Sequence, residues 1–397
     1  MTSASSGQLS DGRGVPEHTD HLPVLTGLRG VAALWVYLYH VWGMAGHPQF
    51  NATIGDMVLD FTPLVSLGGA GVTLFFVLSG FLLSLPFAEW QAGRRDRPRP
   101  GRYFLRRLLR VFPAYYAQLA LLLIVAVAMH GMVAVPEISI LLRHLAMLFV
   151  PPPLGVAPIN GVWWTLPIEF SFYLALPWLA FLLKPRRWLM LLLTSFVVMW
   201  IWRHAVILSL ADSPIPLRVI SAYQLPGAFD MFGLGMLAAV IHVNRTCLPG
   251  WLKGFFRHDA AAVAGLTCLV VSVYWLAGNR AFYWADYPIF YLWTPLLSLG
   301  TALLILSGTG GSRLALALFA NRPIIYAGLV SYSVYLWHFP LLEWLKIALP
   351  ENILGNFASL LSVSLPMLLL VATISYRVVE QPFIRLCRPS GMPGEQA

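Results

Sequence analysis

The sequence predicts an all-α integral membrane protein, a polytopic bundle of about ten transmembrane helices, and three observations carry that prediction. Of the 397 residues, 58% are hydrophobic and only 11% charged, with a mean hydropathy of +0.71, far more apolar than a soluble domain. The apolar residues fall into ten runs, each close to the ~20 residues a helix needs to cross a bilayer. The basic residues gather in short clusters between alternate runs, which is how membrane orientation is written in a sequence. The formal charge of +9 therefore reflects topology and not nucleic-acid binding.

The first run, Leu22 to Met44, organises the rest because it carries an arginine and a histidine that lipid alone does not tolerate. Arg29 and His40 are eleven residues apart, which returns the second to within ~20° of the first on a helix and separates them by ~16 Å along its axis. They share one face, with Arg29 near one membrane surface and His40 toward the middle. The second run, Pro63 to Phe87, contains Leu67-Gly-Gly-Ala-Gly-Val-Thr-Leu-Phe-Phe-Val-Leu-Ser-Gly-Phe81, whose small residues admit a neighbouring backbone. A phosphate-binding loop is excluded here, because no lysine follows the glycines and the sequence runs straight into a membrane helix. The third run, Val111 to Met132, follows a stretch with eight arginines, Arg94, Arg95, Arg97, Arg99, Arg102, Arg106, Arg107 and Arg110, opposed only by Asp96.

Between the third and fourth runs, Ile138 to Val150 is apolar but too short to span, and reads as an interfacial or re-entrant helix before the stiff Pro151-Pro152-Pro153 turn. The remaining runs are Val162 to Leu183, Trp188 to Leu210, Tyr223 to Val243, Ala260 to Ala277, Pro288 to Ser307, Pro323 to Leu345 and Phe357 to Val379. An even number of crossings puts both termini on one side. All basic residues except Arg143, Arg203, Arg218, Arg280 and Lys346 fall on that side, 21 of 26, so the positive-inside rule places both termini in the cytoplasm. Residues 1–21 and 384–397 read as cytoplasmic tails, the first disordered, with no signal-peptide pattern. Cys247, Cys268 and Cys387 show neither metal spacing nor a pairing pattern, so no metal site is expected.

Few ionisable groups remain at membrane depth: His40, Glu169, Asp230, His338, Glu343 and Glu380. Each is costly to bury and needs a partner or a cavity. His40 suits a general base, since imidazole titrates near neutral pH, or it is a packing histidine. Glu169 either orients an imidazole or binds a polar acceptor, or it is a packing carboxylate. His338 precedes a proline that loosens its helix and carries the same two readings. Arg106, Arg107 and Arg110 stand at helical spacing where the third run enters the membrane. They are either a topological anchor or a clamp for a phosphate-bearing ligand. Trp163, Trp164, Tyr283 and Trp284 on the outer side either stack sugars or form the interfacial aromatic belt.

Six ordered stretches then match one family: Thr26-Gly-Leu-Arg-Gly30 with His40, Phe75-Phe-Val-Leu-Ser-Gly-Phe81, Arg106-Arg-Leu-Leu-Arg-Val-Phe-Pro113, Trp164-Thr-Leu-Pro-Ile-Glu169, Ser331-Tyr-Ser-Val-Tyr-Leu-Trp-His338 and Glu380-Gln-Pro-Phe383. Over 22–383 the chain resembles membrane-bound acyltransferase family 3, the bacterial sugar and antibiotic O-acyltransferases. The resemblance implies transfer of an acyl group, acetyl or another short chain, from acyl-CoA to a hydroxyl of a glycan, glycolipid or glycosylated metabolite, in the bacterial inner membrane. It implies that Arg29 and His40 are the essential arginine and histidine, with Glu169 the acid of the Trp-Thr-Leu stretch. Arg107 and Arg110, with Arg106 beside them, correspond to the arginines that take acyl-CoA, and Trp164, Tyr173 and His338 are candidates on the acceptor side. Thr26 stands where many members have Asp, and Phe170 where many have a second acid. The esterase-like domain of some relatives is absent from the sequence, so a single transfer is expected. The alternative from another class is a secondary transporter of a small polar or anionic solute, but no inverted-repeat halves are visible.

Overall fold

The computed structural model describes residues 23–131, 135–149, 155–285 and 288–386. The expectations for residues 1–21, for the Pro151-Pro152-Pro153 turn and for Cys387 lie outside them. Among the described residues eight helices are long and apolar enough to cross a membrane, and a pair bent by 75° counts as a ninth. The fold is an all-α polytopic membrane protein.

In chain order the principal elements are α1 (Pro23–Met44), a hairpin of β1 (Asn51–Ile54) and β2 (Met57–Asp60), α2 (Gly71–Gln91), α3 (Pro100–His130), α4 (Ile138–Leu145) and α5 (Leu166–Leu179). They continue with α6 (Trp188–Ser209), α7 (Phe229–Val243), α8 (Ala260–Gly278), α9 (Pro288–Gly310), α10 (Arg322–Leu329), α11 (Ser331–Ala348) and α12 (Phe357–Ser375). A π-helical turn, Tyr376–Glu380, extends α12. The apolar runs set the spans, but several boundaries differ from the sequence reading; the run Tyr223 to Val243, for one, ends in the 15-residue helix Phe229–Val243, too short to count among the spanning helices. The third helix starts at Pro100, so Arg102, Arg106, Arg107 and Arg110 are residues of a helix and not of a loop. Proline fits there because the first helical N–H has no intrahelical acceptor to lose. The span expected to run straight from Pro323 to Leu345 is broken at Val330 into α10 and α11. The expected tail 384–397 begins as helix, since Gln381–Leu386 continues the last span.

The first helix sits at the centre and packs on α2, α10, α11 and α12. Its contact with α10 is close because glycine allows it. A Cβ on Gly30 falls 2.5 Å from the Ile324 carbonyl oxygen, and one on Gly328 falls 1.9 Å from that of Thr26. The break after α10 lets this short helix lie across the start of α1. Gly328→Leu is therefore expected to destabilise the protein by about 1–3 kcal/mol or more through overpacking, seen as a lower melting temperature in detergent. An unchanged melting temperature would contradict this crossing.

Two prolines leave backbone carbonyls without their helical donors, and both carbonyls find new ones. Pro340 cannot donate to Leu336, whose carbonyl instead accepts from Gln118 Nε2 at 2.7 Å and Asn160 Nδ2 at 3.1 Å. Pro177 frees the carbonyl of Tyr173, which accepts from the Tyr103 hydroxyl at 3.2 Å. Gln118 and Asn160 are buried, and Trp163 Nε1 donates to Gln118 Oε1 at 2.8 Å. Trp163 is fully buried, which corrects its assignment to the interfacial belt or to sugar stacking. Its indole N–H belongs to the network that ties α3, the Trp163 segment and α11 together.

A second buried polar centre joins α6, α7 and α9. Arg203 was counted among the outer charges, yet its side chain has no solvent exposure and faces Asp230, with Nη2 at 3.4 Å from Oδ1. Arg203 also donates to the carbonyls of Gly227 (2.8 Å) and Phe290 (3.1 Å) and to Thr294 Oγ1 (2.7 Å), while Thr294 donates to Asp230 Oδ2 at 2.7 Å. Asp230 is thereby explained as structural: its lone pairs are occupied within the bundle. Glu343, by contrast, is exposed near the end of α11.

Candidate active site

Helix α1 carries His40 about one turn before its C-terminal end, and α11 brings His338 to the same point, with ring centroids 4.9 Å apart and planes tilted by 56°. Both imidazoles are held identically by their own helices. His40 Nδ1 lies 2.9 Å from the Val36 carbonyl, and His338 Nδ1 lies 3.1 Å from that of Val334. A carbonyl can only accept, so each Nδ1 carries the hydrogen, and in the neutral ring each Nε2 keeps its lone pair. His338 is fully buried and its Nε2 has no hydrogen-bond partner among the described residues. His40 is half-buried, so of the two it is the one a substrate can reach. Tyr39, Phe339 and Tyr335 wall the pair. The Tyr335 hydroxyl is anchored to the Val162 carbonyl and the Thr165 hydroxyl, each at 2.8 Å.

One and a half turns from the N-terminal end of the same helix, Arg29 opens a second cluster. Arg110 of α3, Glu169 and Tyr173 of α5, and Glu380 of the π-helical turn all lie within electrostatic reach of it. Arg107 is an electrostatic neighbour of Tyr173. Glu169 is held from α2, where Ser79 Oγ donates to Oε1 at 2.7 Å. The Ser-Gly pair in Phe75-Phe-Val-Leu-Ser-Gly-Phe81 thus has two jobs. Ser79 fixes Glu169, and Gly80 lets α7 pass, since a Cβ there falls 2.3 Å from the Phe232 carbonyl oxygen. Neither Arg29 nor Arg110 makes a hydrogen bond or an ion pair among the described residues. Both are half-buried. Two guanidinium groups side by side repel each other and favour an anion between them.

The arginine stretch divides by what its members touch. Arg94 donates to the Val243 carbonyl at the end of α7, Arg95 pairs with Glu89 at 3.2 Å, and Arg97 lies over the Trp90 ring at 5.3 Å. These contacts anchor the segment before α3 and need no ligand. Arg106, Arg107 and Arg110, one to two turns further into α3, are half-buried. Among the acceptor-side candidates, His338 joins His40, whereas Tyr173 is buried beside Glu169 in the charged cluster. Trp164 is half-buried and meets Tyr223 edge-on at 6.0 Å, outside both clusters.

Gln118, Asn160, Ser79 and Tyr335 were not singled out from sequence. Gln118 carried a signal in retrospect, as a lone amide in an apolar run opposite a proline-containing helix. Among the described residues no group of three His, Cys, Asp or Glu side chains is placed to hold a metal ion.

Residues 22–377 match the family described as Acyltransferase domain. The peptidoglycan O-acetyltransferase OatA of Listeria monocytogenes is 25% identical over 383 residues, which is 91% of this chain and 56% of that protein. The O-acetyltransferase OatA of Staphylococcus aureus is 26% identical over 383 residues, 91% of this chain and 57% of its own length. The acyltransferase MdmB of Streptomyces mycarofaciens is 33% identical over 172 residues, 41% of this chain and 40% of its own. The chain thus spans about half the length of the OatA proteins it matches. No solved structure matches it.

Proposed function

The chain belongs to the Acyltransferase domain family, and on that premise we propose that it is an O-acyltransferase of the bacterial inner membrane with both termini cytoplasmic. It moves an acetyl or other short acyl group from acyl-CoA to a hydroxyl of a glycan, glycolipid or glycosylated metabolite. The observation that carries this reading is the distribution of polar groups along α1. Arg29 and Arg110, without partners of their own, stand toward the cytoplasm. About 16 Å deeper along the helix axis, His40 presents the lone pair of Nε2 beside His338. That separation suits a donor with charged phosphates at one end and a thioester at the end of a long arm. The names of the OatA relatives favour a glycan as acceptor.

In this proposal Arg106, Arg107 and Arg110 take the phosphates, Arg29 steadies the entrance, and the pantetheine arm follows the face of α1 to His40. Two routes use the same Nε2. In the direct route Nε2 takes the acceptor hydroxyl proton as the oxygen attacks the thioester carbon, and passes it to the departing sulfur. In the covalent route Nε2 attacks the thioester carbon, the C–S bond breaks and CoA leaves as thiolate. The acceptor oxygen then attacks the acyl carbon, the C–N bond breaks, and the hydroxyl proton travels to the thiolate. Glu169, pinned by Ser79, balances the arginine charge, and His338 holds the His40 ring in place from behind.

Detergent-purified protein incubated with radiolabelled acetyl-CoA is expected to release free CoA, with hydroxylamine-labile label on the protein after a rapid neutral quench only if the covalent route operates. Absence of both CoA release and CoA binding would overturn the donor assignment. Uptake of a solute into proteoliposomes in the same preparation would favour the transporter.

A further inference from the structure

Glu380 is used by neither route, yet it is one of the most demanding side chains in the bundle. Its residue is 3% exposed, at membrane depth, where a carboxylate is tolerated only with compensation. It sits at the end of the π-helical turn Tyr376–Glu380, a winding that is rare and concentrated at functional sites. Its hydrogen-bond donor is the Ser333 hydroxyl of α11, which lies 2.9 Å from Ser375 Oγ. Two elements therefore fix the carboxylate in position.

Its charged neighbours are Arg110 and Arg29. Neither closes an ion pair with it among the described residues, although a bidentate arginine–carboxylate bond is the strongest arrangement such groups can form. A purely structural pair would be expected to close. Arg29 and Arg110 face two carboxylates, Glu169 and Glu380, and Arg107 adds a further positive charge beside Tyr173. The open forks of Arg29 and Arg110 fit an additional anion.

We propose that Glu380 is a positioning residue, the internal counter-anion of a phosphate-binding site built by Arg29 and Arg110. It offsets part of the charge of both guanidinium groups when the site is empty. It also repels the incoming phosphate enough to keep binding weak and product release fast. The inference rests on the donor reading above for the identity of the ligand, but on the cluster alone for its anion chemistry.

The sign of the effect separates this role from packing. Calorimetric titration of the full-length protein in detergent with inorganic pyrophosphate is expected to show about tenfold tighter binding for Glu380→Gln than for wild type, because one like charge is removed from a poorly screened site. Glutamine retains an acceptor for Ser333. Glu380→Asp, which keeps the charge, is expected to return the weaker binding, and Arg110→Gln to lose it. In turnover, Glu380→Gln is expected to lower KM and kcat for the donor together. Unchanged or weaker pyrophosphate binding by a Glu380→Gln protein with wild-type melting temperature would overturn the assignment, as would failure of every protein to bind. Tighter pyrophosphate binding with no binding of CoA to any variant would uphold the role of Glu380 and reject CoA as the donor.

Discussion

Replacing His40 with alanine is expected to lower acyl transfer by roughly 10^2- to 10^4-fold, the range that a positioned acid–base or nucleophilic imidazole contributes. The large effect follows from how the ring is held. The Val36 carbonyl occupies Nδ1, so Nε2 is the only nitrogen with a lone pair to offer. The neighbouring His338 is fully buried and does not replace it. Glutamine at position 40 keeps much of the volume but offers no comparable base, and should be as inactive as alanine. His40 is only half-buried, so the melting temperature of either variant should stay near that of wild type. CoA release from acetyl-CoA measured beside a thermal melt checks both statements. Full activity in His40→Ala would remove α1 from the chemistry.

The largest loss of stability is expected at the other polar centre. Asp230→Ala leaves the Arg203 guanidinium buried without its counter-charge, a change that costs about 3–5 kcal/mol when a buried pair is broken on one side. Thr294→Val removes the hydroxyl that bridges the two and should cost less, about 1–3 kcal/mol. Replacing Arg203 and Asp230 together with leucines recovers part of the loss, since no charge is stranded. Recovery is incomplete because the carbonyls of Gly227 and Phe290 lose the donors they have now. Chemical unfolding of the purified variants gives the order: Asp230→Ala least stable, the double variant intermediate. A harmless Asp230→Ala would show that the pair is not closed in the folded protein.

Much of this architecture is legible in the residues themselves. Apolar runs mark the spans because lipid admits few alternatives to a continuous helix. The eleven-residue spacing of Arg29 and His40 places them on one face through helix geometry alone. The break at Val330 is not legible, because no proline or glycine stands at that position. The bend comes from α10 lying on α1 through Gly30 and Gly328, a tertiary contact. The start of α3 is hidden for a different reason: a stretch with eight arginines reads as loop, whereas the long apolar stems of Arg102, Arg106, Arg107 and Arg110 allow these four to continue a helix into the interface. His338 and Glu380 were visible as costly residues, but their partners lie far away in sequence, on α1 and α3. Arg203 misled because position along the chain places it near a loop, while its side chain runs inward to Asp230.

The capped proline step at Pro340 bears on how this protein can work. A proline in a membrane helix is often a joint, free to flex because one backbone bond is missing. Here the vacated carbonyl of Leu336 is bolted from two sides by buried amides, Gln118 and Asn160. Flexing the helix at this point would strand those amides at about 1–3 kcal/mol for each unmet group. The bench on which His338 is mounted is thus stiff, two residues from the fastening. Substrates must come to a stationary workplace by their own reach, which suits a long flexible carrier arm better than a rocking machine.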